Sequence, residues 1–166
     1  MMRSINLLYM RILHMIGRGR TTLVNDAGNV QTMQLELGQD EVRDNTPRMA
    51  EYGFTSSPPA GSDAVLVFIG GDRLNAVVVG TNHQPSRMKG LSSGEVAIYD
   101  NLGQSIYLSK TGITINSAGL PITINGNIIL NGSLTATGDV VANGVSVKHH
   151  IHSGVEPGGS NTGNPV

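Results

Sequence analysis

The chain contains no cysteine. Disulfide bonds and thiolate metal sites are therefore excluded. The absence leaves the cellular compartment open, because proteins without cysteine occur in both reducing and oxidising surroundings.

Charged and aromatic residues are also scarce, at 14% and 4% of the chain. Both values are low for a globular protein. The 11 basic and 12 acidic residues leave a net charge of −1. That balance lacks the basic excess of nucleic-acid-binding proteins, so no nucleic-acid partner is predicted. Glycine is abundant by contrast, with 22 in 166 residues, a length that fits one medium domain or two small ones.

The N-terminal stretch MMRSINLLYMRILHMIGRGR predicts a short amphipathic helix within residues 1–19. Arg11 and His14 interrupt its apolar run and no small-residue cleavage site follows, so neither a signal peptide nor a membrane span is predicted. Whether the helix packs on its own domain or docks on a partner stays open, and a membrane-surface role is a third option. Its apolar residues recur at helical spacing: Ile5, Leu8, Ile12 and Met15.

Residues 20–82 predict several short strands and therefore a small β-barrel or sandwich of roughly sixty residues. In DAVLVFIGGDRLNAVVVG, two runs rich in β-branched residues flank Gly70 and Gly71, which is typical of a β-hairpin. A phosphate cradle would need a helix after these glycines, and a strand follows instead. The predicted strands are Thr21 to Asn25, Val30 to Leu37, Ala64 to Ile69 and Leu74 to Val79.

A linker, residues 83–93, separates this barrel from a region of different composition. His83 opens the linker and is interpreted as a surface residue. From Gly94 the glycines recur at spacings of 9, 9, 7, 7, 6, 6 and 6 residues. Short alternating strands such as SIYLS, ITINS and IILNG lie between them, and their apolar residues become smaller toward the C-terminus. The pattern predicts a narrowing shaft over residues 94–148.

A single chain is a poor candidate for building that shaft. A one-chain β-helix uses roughly eighteen residues per coil, so only about three coils fit. Three intertwined chains solve the problem, because each supplies one face, the alternating apolar side chains meet on the axis, and every strand edge finds a neighbour. The sequence therefore predicts a homotrimer with an outer surface of Ser, Thr and Asn.

Three of the five histidines cluster at the start of the C-terminal segment 149–166, at positions 149, 150 and 152. On a strand, His150 and His152 share one face. In a trimer they make six imidazoles around the axis, a closed octahedral set suited to iron, nickel or cobalt in a structural role. The competing interpretation is a solvated histidine tail. Val145 and Val147 are predicted to face inward, so either a turn or bulge near Lys148 aims His150 at the axis, or the inward assignment is off by one residue.

The chain resembles the central-spike proteins of contractile phage tails, the baseplate assembly protein V group, and especially their Mu-like branch. Three stretches carry the likeness, which spans roughly residues 20 to 164: GFTSSPPAGSDAVLVFIGGDRLNAVVVG, GEVAIYDNLGQSIYLSKTGITI and VKHHIHSGVEPGGSNTGNP. The resemblance implies an all-β protein with an OB-fold barrel, an intertwined trimeric β-helix and a pointed tip. It also implies one iron ion per trimer, held by a motif that falls on His150 and His152. Some members bind calcium and chloride in the shaft, and no motif here assigns their ligands.

The function implied is mechanical rather than enzymatic. The spike sits at the baseplate tip of the virion, meets hub or tube-end proteins, and is driven through the host outer membrane when the sheath contracts. A tailocin would use the same part. Two other classes of function stay open from the residues alone: a hexapeptide-repeat acyltransferase, which the glycine period disfavours, and an adhesin or fibre stalk, which leaves the barrel unexplained.

Overall fold

The computed structural model describes residues 2–152, Gly154 and Gly158. This part of the chain is mostly β, with antiparallel sheets and one helix, which confirms the all-β class. Two compact units are present, Met1–Ile122 and Thr123–Val166. In chain order the elements are α1 (Met2–Leu13), β1 (Ile16–Asn25), β2 (Thr32–Gly38), β3 (Glu41–Pro47), β4 (Asp63–Phe68), β5 (Ala76–Asn82), β6 (Val96–Tyr99), β7 (Ser105–Ser109), β8 (Gly112–Asn116), β9 (Val141–Ala142) and β10 (Val145–Ser146).

The first five strands form one antiparallel sheet in the order β3-β2-β1-β4-β5. Its two outer strands meet where Arg48 forms a parallel bridge with Val78. There the amide of Met49 donates to the carbonyl of Val78 at 2.9 Å. Buried and exposed residues alternate along the strands, so one face supplies the core. The buried apolar residues are Met33, Leu35, Ala64, Leu66, Phe68, Ala76 and Val78.

Two features of this sheet differ from the strands predicted above. Strand β3, with the sequence EVRDNTP, was not predicted, because Val42 is its one aliphatic residue and it shows no hydrophobic alternation. It forms because it pairs with β2 and buries Thr46. Strand β1 begins at Ile16, earlier than predicted, because the IGRGR segment pairs with β4. The helix consequently occupies only the first part of the 1–19 segment and ends at Leu13.

Helix α1 touches its own domain through its backbone. A Cβ atom on Gly71, in the turn between β4 and β5, would overlap the backbone carbonyl of Arg11. Just after the helix, the Met15 carbonyl accepts a hydrogen bond from the Phe68 amide at 2.8 Å. From Ile5 to Leu13, the apolar side chains of the helix stay exposed. Among the described residues, no helix is long and apolar enough to cross a membrane.

Strands β6, β7 and β8 form a separate antiparallel sheet with one apolar face. The register pairs Ile98 with Ile106, and Ile106 with Ile115. The opposite face carries polar or small residues, including Tyr107 and Thr114. The apolar face consists of Val96, Ile98, Ile106, Leu108, Ile113 and Ile115, between 40% and 71% exposed.

Glu95 links the polar face of this sheet to the segment that precedes β6. Its carboxylate accepts hydrogen bonds from the Tyr107 hydroxyl and the Ser92 amide. The Tyr107 hydrogen bond is the main reason that the pKa of Glu95 lies below its ordinary value, and the same bond raises the pKa of Tyr107. The bond therefore orients the first strands of the predicted shaft.

Gly17 marks the closest approach between β1 and the core. A Cβ atom there would lie 2.7 Å from Cε2 of Phe68. We expect Gly17→Ala to displace the ring and destabilise the sheet by about 1 to 3 kcal/mol, as overpacking does. Hydrogen exchange of the β4 amides should accelerate accordingly. Gly80→Ala is the matched control, because a Cβ at that strand position has no neighbour within 4 Å. Equal β4 protection in the two variants would contradict this packing.

Candidate metal site at the C-terminal hairpin

The candidate site follows a small hairpin made by β9 and β10. Asn143 and Gly144 connect the two strands with φ values of 47° and 81°. Two consecutive residues with positive φ define a type I′ turn, which Asn-Gly strongly favours because its twist matches that of the strands. One further hydrogen bond, from the Val147 amide to the Val140 carbonyl at 2.8 Å, continues the pairing past β10.

The chain leaves the hairpin through a turn at residues 147–149. The amide of His149 donates to Oγ of Ser146 at 2.7 Å. The amide of His150 donates to the carbonyl of Ser146 at 3.1 Å. This turn lies where the alternation argument required one, near Lys148, and it ends the strand before the two candidate ligands.

A carboxylate on the opposite side of the hairpin stabilises this turn. Oδ1 of Asp139 accepts a hydrogen bond from the Lys148 amide at 3.0 Å. The Ser146 hydroxyl, foremost, and the Lys148 amide stabilise the charged carboxylate and lower the pKa of Asp139. The sequence analysis gave Asp139 no role. Its position between Asp100 and Glu156, with no other acidic residue in between, was the available signal.

The two predicted ligands, His150 and His152, lie close together with both side chains exposed. Their ring centres are 5.1 Å apart and the rings are nearly perpendicular, at 83°. Nδ1 of His150 lies 2.9 Å from the carbonyl oxygen of Ser146 and 3.1 Å from that of Val147. Carbonyl oxygens only accept hydrogen bonds, so Nδ1 carries the proton and the lone pair of the neutral ring is on Nε2.

This donor set fits a transition-metal ion but is incomplete in one chain. Two imidazoles bound to one ion through nitrogen, with bonds of about 2.1 Å, have ring centres roughly 4.5 to 6.5 Å apart. The observed separation of 5.1 Å falls in that range. Within the described residues, no group of three or more histidine, aspartate or glutamate side chains comes together. A stable site would therefore need further ligands besides these two side chains.

Two other features considered from the sequence, His83 and the glycine pair at 70 and 71, lie in the first unit. Nδ1 of His83 lies 2.6 Å from Oγ of Ser86, within one local turn. Gly70 and Gly71 both have positive φ and connect the antiparallel strands β4 and β5, which confirms the hairpin.

Comparison with known proteins matches two parts of the chain. Residues 18–85 match the family model described as Bacteriophage Mu Gp45, N-terminal. Residues 144–166 match the GpV Apex motif. The "Mu-like prophage FluMu protein gp45" of Haemophilus influenzae is 32% identical over 158 residues, which cover 83% of this chain and 86% of that protein. The chain belongs to the Mu gp45 family. A second relative is the "Baseplate puncturing device gp45" of Escherichia phage Mu. It is 27% identical over an alignment of 178 residues, gaps included, which covers 92% of this chain and 90% of that protein.

Membership of the Mu gp45 family confirms the resemblance drawn from the three quoted stretches. The N-terminal family match covers the five-stranded sheet from β1 to β5 except its first two residues. The apex motif begins at Gly144, in the hairpin turn, and includes His150 and His152. Asp139 lies just before that motif, so neither match assigns it a role.

Proposed function

We propose that this protein is the central spike of a contractile-tail baseplate, which penetrates the host outer membrane when the sheath contracts. The observation that carries the proposal is the family assignment: a relative over most of its length is named a baseplate puncturing device, and the apex motif coincides with the histidine-bearing terminus. The protein thus acts at the tail tip of a virion, or of a tailocin built from the same parts. Its role is mechanical.

The proposed spike is a homotrimer, and the uncovered apolar face of β6–β8 supports this. An all-apolar sheet face in water costs roughly 25 cal/mol per Å² and is normally covered. A cleft of about 390 Å³ between Ile98, Ile115 and Leu120 offers space for side chains of a neighbouring copy.

The proposed domain organisation is an OB-type barrel (20–82), a linker (83–93), a trimeric β-helical shaft (94–148) and a metal-bound tip (149–166). The barrel is supported by the strand order together with the parallel bridge between Arg48 and Val78, which closes β3 on β5. The resulting cyclic order, β1-β2-β3-β5-β4, is that of five-stranded OB barrels. The shaft is supported by the recurrence of exposed isoleucine, leucine and valine from Val96 to Val147.

At the proposed tip, His150 and His152 from three chains hold one iron ion through six imidazoles. Such an ion has no open position and cross-links three C-terminal segments, so its contribution is structural. The lone pair on Nε2 of His150 supports this assignment, because it leaves that nitrogen free for a metal while Nδ1 is engaged by backbone carbonyls. A tied end would resist fraying under the force of penetration.

Helix α1 is proposed to attach the spike to a hub or tube-end protein of the baseplate. Ile5, Leu8 and Ile12 lie on one side of the helix, each about 60% exposed, while contacts of the helix with its own domain involve backbone at Gly71 and Arg11. The first 25 residues contain four arginines and no acidic residue. An apolar groove with carboxylates at its rim is therefore the complementary surface.

We expect Ile115→Glu to abolish trimer formation, because three carboxylates would be buried in the apolar interface. Thr114→Glu is the matched control, since the neighbouring residue lies on the polar face and is equally exposed to water in one chain. Analytical ultracentrifugation of the full chain gives the mass directly. A trimer of unchanged stability in Ile115→Glu would place the interface elsewhere.

Elemental analysis of untagged, chelator-washed protein should find one iron per three chains. The double variant His150→Ala with His152→Ala should lose the metal and loosen the terminus, while the upper shaft stays folded through apolar burial. His149→Ala should keep the metal, because that residue has no role in the proposed site. Global unfolding of the double variant, or absence of metal from the native protein, would contradict the proposal.

Replacing Leu8 by glutamate should reduce incorporation into baseplates about tenfold or more, the effect of removing one buried leucine from an interface. Leu7→Glu adds the same charge to the neighbouring position. Leu7 is about equally exposed but lies about 100° around the helix from Leu8, off the side formed by Ile5, Leu8 and Ile12. Incorporation is measured as spike protein per sheath protein in purified tails, with trimer mass as a check on folding. Equal incorporation of the two variants would argue against docking through this side of the helix.

A further inference from the structure

Asp139 has no role in the function described so far. It is the one acidic residue between Asp100 and Glu156, a stretch dominated by small, uncharged and aliphatic side chains. Apolar packing of a shaft does not need it, and it is not one of the two proposed ligands. Its carboxylate nevertheless accepts a hydrogen bond from the Lys148 amide, inside the turn that leads to His150.

Ser146 ends strand β10 and leads into this turn. Its Oγ accepts the His149 amide at 2.7 Å. Its carbonyl accepts two hydrogen bonds from His150, one from the amide at 3.1 Å and one from Nδ1 at 2.9 Å. Asp139 therefore holds the Lys148 amide in the same turn in which Ser146 is bonded to both the backbone and the ring of His150.

The consequence concerns the tautomer of His150. A neutral imidazole carries its proton on one nitrogen, and the hydrogen bond made at the other nitrogen decides which one is available to a metal. With two carbonyl oxygens facing Nδ1, the proton stays there and Nε2 presents its lone pair. An imidazole free in water has no such constraint and exchanges between both forms.

We propose that Asp139, acting through its hydrogen bond to the Lys148 amide in the turn at residues 147–149, is a positioning residue that holds His150 in the Nδ1–H form with Nε2 directed to a metal ion at the tip. This inference rests on the metal site proposed above. Carboxylates that support a metal-binding histidine usually accept a hydrogen bond from its ring directly. Here the carboxylate instead holds the turn whose carbonyl groups accept the ring proton, so that the ligand is oriented before the metal binds.

The test compares Asp139→Ala with Asp139→Asn in the full-length, metal-free protein. Asparagine keeps an oxygen that accepts the Lys148 amide, and alanine does not. Long-range ¹⁵N–¹H spectra of ¹⁵N-histidine-labelled protein at about pH 8.5, where histidine is neutral, report the tautomer. We expect the Nδ1–H form in the native protein and in Asp139→Asn, and a mixture of both forms in Asp139→Ala. An Asp139→Ala spectrum identical to that of the native protein would overturn the proposal, as would an Nε2–H form in the native protein.

A second measurement follows metal loss from the loaded protein to excess chelator. Loss should be about 10 to 100 times faster in Asp139→Ala, the usual effect of removing an outer partner of a ligand, and within a few-fold of native in Asp139→Asn. Thr137→Ala, an exposed change close by in sequence, should match the native rate. Unchanged loss in Asp139→Ala would count against the positioning role.

The two measurements separate this inference from the metal site itself. Absence of metal from the native protein would refute the metal-bound tip, while the tautomer spectra still decide whether Asp139 orients His150. Native metal content with an unchanged tautomer in Asp139→Ala would leave the tip intact and refute the positioning role. Trimer mass and circular dichroism confirm that each variant is folded.

Discussion

Apolar surface that one chain cannot cover is the constraint on which the second half of the molecule depends. Among the described residues, none after Val78 is buried, although isoleucine, leucine and valine recur through β6, β7 and β8 and beyond. The five-stranded sheet differs, because its strands enclose a core around Phe68 and Leu66. The hydrophobic effect is non-directional and demands only that such surface be removed from water. In the proposed trimer, two further copies of the same strands do this.

Hydrogen bonding becomes more important as the apolar side chains become smaller. Strands β9 and β10 have two residues each and offer valine and alanine for packing. This end of the described chain is organised by a set of hydrogen bonds and one tight turn: the Asn143-Gly144 turn, the Asp139 carboxylate on the Lys148 amide, and the Ser146 groups that accept the amides of His149 and His150. Such bonds hold a narrow hairpin without requiring bulk. A shared metal ion would extend the same strategy to three chains.

The predictability of the fold differed between its elements for physical reasons. Strands β4 and β5 were evident because their β-branched runs flank a glycine pair with positive φ, a signal contained in the local sequence. Strand β3 was not, because EVRDNTP has neither alternation nor strong β-propensity and becomes a strand only through pairing with β2. The local sequence pattern also could not predict which residues surround the helix. Periodicity identified its apolar side, but only the structure established that Ile5, Leu8 and Ile12 on this side remain exposed.

At the candidate site, the sequence by itself determined the ligand types and their spacing. The two histidines could be singled out because imidazole is a metal ligand wherever it occurs and a spacing of two is a local property. It also determined the need for a turn near Lys148, since side-chain alternation is fixed by backbone geometry. Only the tertiary structure decided that Asp139, nine residues before Lys148, lies against its amide. That contact depends on a hydrogen bond across a folded hairpin, and no local pattern records which distant donors and acceptors will meet.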